Sequence, residues 1–179
     1  MNSLIPNYNI RRGSTLDRAL LVKFMQRTYQ DMFPGEDFSH LAQTVEQYFS
    51  SETPLWWVDF LADNKDSRET RENLLPHLAV SDTPVVACLW VGNSIDQVKG
   101  DRHAHIFLVY VEPEHRRQGI GKALMQYVEN WAFTRGDRQI GLQVFTSNQT
   151  ALNLYNQLGY QTQSLWMIKP LNCEKIESE

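Results

Sequence analysis

The sequence predicts an α/β (α+β) fold, a central sheet with helices packed on it, and three observations predict it. Short runs rich in β-branched and aromatic residues alternate with segments whose apolar residues recur every three or four positions. The second half reads strand, helix, strand, helix, strand, an order that a helix-covered sheet accommodates. A chain of 179 residues, 42% of them hydrophobic, is long enough for one domain with a real core.

The elements follow in order. "NYNIRR" is short and strand-like. Ser14 or Thr15 then caps a helix whose apolar residues Leu16, Leu20, Phe24 and Tyr29 keep helical spacing until "FPG" at 33–35 stops it. Phe38, Leu41, Val45 and Phe49 predict a second helix over 38–49, with Pro54 marking its end. "LWWVDF" at 55–60 predicts a strand, with Trp56 and Trp57 on opposite faces, one filling the core and the other free to wall a pocket. The polar stretch at about 62–76 reads as a solvated insertion, and residues 77–80 offer an alternative strand in a hairpin turning at 82–84. Residues 85–91 and 103–111 are strand-like, separated by a polar loop at 92–102. A helix over 119–135 carries Ile120, Leu124, Tyr127, Val128 and Trp131 as one stripe, ended by Gly136. A strand at 139–145, a helix at about 148–158 and a last strand at 160–168 complete the chain.

Composition excludes several function classes. No apolar run approaches the ~18 residues of a spanning helix, and the N-terminus lacks the basic-then-apolar order of a signal peptide, so no membrane role is expected. Cys88 and Cys173 form neither a disulfide framework nor a metal-ligand set, which points to a reducing cytoplasm and no metal. A formal net charge of -4, with no Lys/Arg block longer than a dipeptide, argues against nucleic-acid binding. Exposed aromatics of the first half would permit a homodimer.

The chemistry concentrates at one junction, "EHRRQGIGKALM", where a strand turns through two glycines into a helix. A dinucleotide fingerprint fails because Leu124 stands where its third glycine should be, and a Walker loop fails at Arg116 and Ala123. Their common physics survives. The first N–H groups of a helix have no internal partner and carry partial positive charge, so an anion can rest on them. Arg116, Arg117 and Lys122 add full charges, and Gly119 and Gly121 let a phosphate approach the backbone around Gln118 and Ile120. An ordinary strand-to-helix turn with solvated basic residues would read the same way.

Two segments together carry a family resemblance. "VYVEPEHRRQGIGKALM" resembles the acyl-CoA signature of the GCN5-related N-acetyltransferase (GNAT) superfamily, Arg/Gln-x-x-Gly-x-Gly/Ala. "SNQTALNLYNQLGY" resembles its second signature, here Asn148, Ala151, Tyr155, Gly159 and Tyr160. The resemblance covers about 106–160, and it implies a single N-acetyltransferase domain over 8–172 with a polar tail at 173–179. It also implies a mixed, mostly antiparallel sheet of about six to seven strands, helices on both faces, splayed between the fourth strand (103–111) and the fifth (139–145). Backbone groups of Val109, Tyr110 and Val111 would meet the pantetheine arm, and main-chain N–H groups of residues 117–122 the diphosphate, of acetyl-CoA serving as acyl donor. Asn148 and Tyr155, about 700° apart along a helix at ~100° per residue, share a face that would look to the thioester. Asn148 serves equally as an N-cap, and Tyr155 as a core aromatic.

Acetyl transfer to an amine implies three tasks. A lysine-like ammonium, of pKa about 10.4, leaves roughly one molecule in two thousand ready to attack at neutral pH, so a base is needed. A backbone N–H near Val109 would stabilise the oxyanion, and the Tyr155 hydroxyl is the family's usual proton donor to the leaving thiolate. For the base, the branch that acetylates ribosomal-protein N-termini uses a glutamate where this chain has Gln143. The histone-acetylating branch uses a glutamate that aligns with His105, which shares a strand face with His103. Glu112 or a water chain are the rivals of His105. Neither cysteine falls in a signature, which speaks against a covalent enzyme intermediate. Glu36, Asp37 and Asp96 lie where the family binds its acceptor, and could draw a cationic small-molecule or peptide amine. A non-catalytic acyl-CoA sensor and a nucleotide-phosphate binder are the other readings.

Overall fold

A computed structural model describes residues 2–61 and 83–171. The expected insertion at 62–76, the alternative strand at 77–80, Cys173 and the polar tail lie outside the described residues. Two compact units divide the chain, Met1–Phe145 and Thr146–Glu179.

The first unit holds a six-stranded sheet in sequence order: β1 (Asn2–Ile5), β2 (Tyr8–Arg12), β3 (Leu55–Phe60), β4 (Val85–Ile95), β5 (Arg102–Val111) and β6 (Ile140–Leu142). Neighbours run antiparallel except β5 and β6, which are parallel. The fold is therefore the expected mixed, mostly antiparallel α/β type. One strand precedes the first expected one: Asn2–Ile5 folds back on β2 around Asn7, whose φ of 66° the asparagine side chain tolerates.

Helices cover both faces. Ser14 forms a capping box with Asp17, starting a 3-10 turn that leads into α1 (Arg18–Met32). Leu16 consequently lies in that turn and is exposed, while Leu21, Phe24 and Met25 form the buried stripe. With α2 (Leu41–Tyr48), α1 covers Leu55, Trp57, Cys88, Trp90, Leu108 and Tyr110. Trp57 is fully buried edge-on to Phe24 and donates its indole N–H to Asp17. Across the sheet, α3 (Ile120–Thr134) buries Ile120, Leu124, Met125 and Val128. Trp56 packs there against Tyr127 and Trp131 under the Arg12 guanidinium. Both tryptophans are thus core residues, shut off from solvent.

Two strands depart from expectation in a way that matters for the site. β4 continues to Ile95 and β5 begins at Arg102, because Asp96 caps the tight hairpin between them by accepting the N–H groups of Val98 and Lys99. β6 is only three residues long, so residues 143–145 are not strand.

The second unit contains α4 (Gln149–Gln157), capped by Asn148 and closed at Gly159, whose φ of 88° is the left-handed turn that ends helices. The expected strand at 160–168 does not form. Those residues have no regular structure, and Leu165, Trp166, Met167 and Ile168 are each at least 77% exposed. The residue types there predict a strand, but a strand also needs a paired neighbour to satisfy its backbone.

Candidate active site

The site begins with an edge. β6 pairs with β5 only at Ala104, His105 and Ile106, and no described strand covers that side of β5 from Phe107 to Val111. This is the splay expected between the strands at 103–111 and 139–145. Ladder geometry decides which groups face the gap. Glu112 N–H donates to Val86 on β4, so the alternation of an antiparallel pair sends Tyr110 toward β4 and turns Val109 and Val111 outward. Of the three expected pantetheine contacts, Val109 turns its backbone groups to the open edge and Val111 its N–H, the Val111 carbonyl being taken by Arg116. Tyr110 is tied to β4 and buries its ring edge-on against Phe24.

The edge leads into the glycine junction. A 3-10 turn over Pro113–His115 precedes Arg117, a non-glycine residue at φ 63°, and Gly119 at φ 87° forms the N-cap of α3. No side chain caps this helix, and its first internal bond is Ala123 N–H to Gly119 O. The N–H groups of Ile120, Gly121 and Lys122 therefore lack helical partners. Space above Gly119 is open, with no atom within 4 Å of where a Cβ would stand. Arg117, Gln118 and Lys122 are exposed around it. These residues fit a diphosphate: uncapped donors, a backbone an anion can approach, and two free cations.

Two details were not legible in the sequence. The Tyr8 hydroxyl donates to Gln118 Oε1 at 2.6 Å and lies 2.9 Å from His115 Nδ1, pinning the loop to β2. Nothing in "NYNIRR" marks Tyr8 for that task. Arg116, expected among the cofactor's cations, is engaged elsewhere. Its Nε donates to Val111 O at 2.8 Å, its terminal nitrogen pairs with Asp31 on α1, and it lies over the Tyr110 ring. Arg116→Met is therefore expected to lower the melting temperature by several degrees while changing acetyl-CoA affinity less than Lys122→Met does. Thermal denaturation and calorimetry read the two effects.

The other half of β5 carries the histidines. Trp90 opposes Leu108 and Val91 opposes Ile106, so Phe107 is the extra residue of a β-bulge. The bulge swings Phe107 over β4, where its Cε2 would lie 2.1 Å from a Cβ on Gly92. His105 and His103 oppose Gly92 and Ser94, so they share the face of Phe107 and Trp90. His105 packs against Phe107, which in turn meets Tyr48 of α2. Burial, and secondarily the charge of His103, push the His105 imidazole below its ordinary value.

The remaining candidates sort clearly. Glu112 is ion-paired with Arg27 and accepts from Tyr110, which ties it down as a base. Asp37 is occupied by the N–H and hydroxyl of Ser39, and Asp96 by its own hairpin and Gln139. Of the three acceptor carboxylates, only Glu36 is left with an exposed side chain and no loop-capping task. Cys88 is wholly buried and its thiol is driven up by desolvation, so it is no nucleophile. Gln143 is exposed beyond the end of β6.

In the second unit, Asn148 Oδ1 accepts the Ala151 N–H at 3.1 Å, so it acts as a helix cap. Tyr155 is half-buried, its ring 5.7 Å from that of Tyr160, and burial raises its hydroxyl above the usual phenol value. Among the described residues no group of three or more His, Cys, Asp or Glu is placed to hold a metal. No helix among them is long and apolar enough to cross a membrane.

Comparison with known proteins gives the family and the fold. The model of the acetyltransferase (GNAT) family matches residues 23–160, and the chain belongs to that family. It is 35% identical over 78 residues to a thialysine N-epsilon-acetyltransferase of Bos taurus, covering 44% of this chain and 45% of that protein. It is 37% identical over 67 residues to the [ribosomal protein bS18]-alanine N-acetyltransferase of Escherichia coli (strain K12), covering 37% and 45%. The chain thus spans less than half the length of these two relatives. Among solved structures, a ribosomal-protein-alanine N-acetyltransferase from Brucella melitensis shares the fold at TM-score 0.63 and 17% identity, over 92% of this chain and 99% of that one. A predicted acetyltransferase from Clostridium acetobutylicum, solved with acetyl-CoA, does so at TM-score 0.66 and 18% identity, over 91% and 96%.

Proposed function

We propose that this chain is an N-acetyltransferase that moves an acetyl group from acetyl-CoA to a primary amine by direct attack in a ternary complex. The observation that carries this reading is the run of main-chain donors from Val109, on the uncovered edge of β5, to the uncapped start of α3 at Gly119. Acetyl-CoA supplies the acyl group as an activated thioester. Residues 117–122 hold its diphosphate, and Val109 N–H donates to the oxyanion that develops at the carbonyl. His105 takes one proton from the acceptor ammonium, and its lowered basicity keeps it neutral and ready at pH 7. Tyr155 gives its proton to the departing sulfur and recovers one from the acylated nitrogen, so the net product is one amide, one thiol and one proton.

The acceptor rests beside His105, where Tyr48 is 48% and Phe107 38% exposed. Two aromatic faces with no free carboxylate between them among the described residues suit an amine on an apolar stem better than a polycation. Phe107→Ala is expected to raise KM for the accepted amine about tenfold, the loss of one good apolar contact, and to leave KM for acetyl-CoA unchanged. A thiol-release assay with acetyl-CoA against a panel of amines tests the whole reading. Release above the blank with at least one amine supports it. Acetyl-CoA binding with no release across the panel would favour a sensor instead.

A further inference from the structure

Arg117, at positive φ in the loop that meets the donor's diphosphate, stands between two tethers. On its N-terminal side Arg116 is fixed by Val111 O and by Asp31. On its C-terminal side the Gln118 side chain folds back onto the protein. Its Nε2 lies 3.5 Å from Glu114 O, a carbonyl to which it can only donate, so Oε1 is the atom left for Tyr8, whose hydroxyl donates to it at 2.6 Å. A tyrosine hydroxyl has one hydrogen. With that hydrogen spent on Gln118, His115 Nδ1 at 2.9 Å carries a hydrogen of its own and donates to Tyr8 Oη. Tyr8 is a fixed point: it is 4% exposed, its ring lies 5.1 Å from that of Phe60, and its backbone pairs with Phe60 across β2 and β3.

We propose that Tyr8 is a positioning residue for the acyl donor: through Gln118 it holds the left-handed turn at Arg117 that aims the main-chain N–H groups of residues 117–122 at a diphosphate. This rests on the reading of that loop as the acetyl-CoA site. A residue other than glycine stays left-handed only where its surroundings hold it there. A loop ordered in advance spends none of the ligand's binding energy on becoming ordered. The Gln118 amide is committed to Tyr8 and Glu114, so the residue meets the ligand through its main-chain N–H and acts on the turn through its side chain. The consequence is a discrimination among donors. A thioester that carries the diphosphate gains from the tether, and one that ends at the pantetheine arm does not.

The experiment compares wild type, Tyr8→Phe, Gln118→Ala and the double variant in their binding of acetyl-CoA, inorganic diphosphate and S-acetylpantetheine, by calorimetry for the coenzyme and by amide shifts for the two fragments. Tyr8→Phe keeps the ring against Phe60, and Gln118→Ala changes an exposed side chain that reads the same tether with less risk to the fold. Each single variant is expected to bind acetyl-CoA and diphosphate about fivefold more weakly, roughly the worth of one hydrogen bond, and S-acetylpantetheine as wild type does. The double variant should lose no more than either single one. Affinity for the coenzyme indifferent to both substitutions overturns the proposal. A loss that extends equally to S-acetylpantetheine overturns it too, by showing a general structural effect, and additive losses do so by separating Tyr8 from Gln118. Failure of the acetyl-CoA reading looks different: wild type gives no heat with the coenzyme and no shift with diphosphate, which removes the site that Tyr8 would position.

Discussion

Tyr155→Phe is expected to lower kcat by about two to three orders of magnitude, the range lost when a positioned general acid is removed, with KM for acetyl-CoA nearly unchanged. The substitution takes away one hydroxyl and keeps the ring that packs near Tyr160 in the last turn of α4, so the helix and its left-handed end at Gly159 survive. Burial raises the hydroxyl above the ordinary phenol value, so it remains protonated through the whole neutral range. The wild-type enzyme should then show no loss of kcat from this group across the neutral range. Steady-state kinetics of the two proteins settles the matter. Equal kcat values would remove Tyr155 from the chemistry.

Gly119→Val is expected to weaken acetyl-CoA binding on the order of 100-fold, equivalent to about one or two charge-assisted hydrogen bonds. The residue is at φ 87°, which a β-branched side chain adopts only at a cost of about 1–3 kcal/mol. Its Cβ would enter open space rather than protein, so the lost affinity would come from distorted helix-start donors and from a side chain placed where the diphosphate rests. Gly119→Asn separates these causes, because asparagine tolerates the left-handed conformation far better than valine does. It should fold normally and bind with intermediate affinity. Calorimetry on both variants checks the order wild type, then asparagine, then valine.

Long periodic elements and glycine chemistry were legible in the sequence; features set by register were not. α3 and α4 lie within a residue or two of their expected bounds, because their stripes and terminal glycines are local signals. The positive φ of Gly119 is likewise a property of one residue type at one junction. The bulge at Phe107 is a two-against-one mismatch between strands far apart in sequence, and only the pairing of Trp90 with Leu108 and Val91 with Ile106 reveals it. Without that bulge, simple alternation would put His105 on the opposite face from Tyr110 and Leu108. With it, both histidines stand on the α1/α2 side. Side-chain commitments were also hidden. Arg116 carries a positive charge as Lys122 does, but Asp31, which claims it, is 85 residues away. Tyr8 reaches Gln118 across 110 residues and Gln139 reaches His103 across 36, and no short motif encodes either contact. The missing strand at 160–168 is the converse case, a local pattern that no described neighbour completes.

Amide shifts on addition of acetyl-CoA to the 15N-labelled protein test the central claim most directly, since they report which backbone groups meet the donor. The account predicts saturable movement concentrated at Val109, Val111 and residues 117–122, with the amide of Tyr110, bonded to β4, moving less. Addition of acetyl-CoA that leaves Gln118, Gly119, Ile120 and Gly121 unmoved would contradict it.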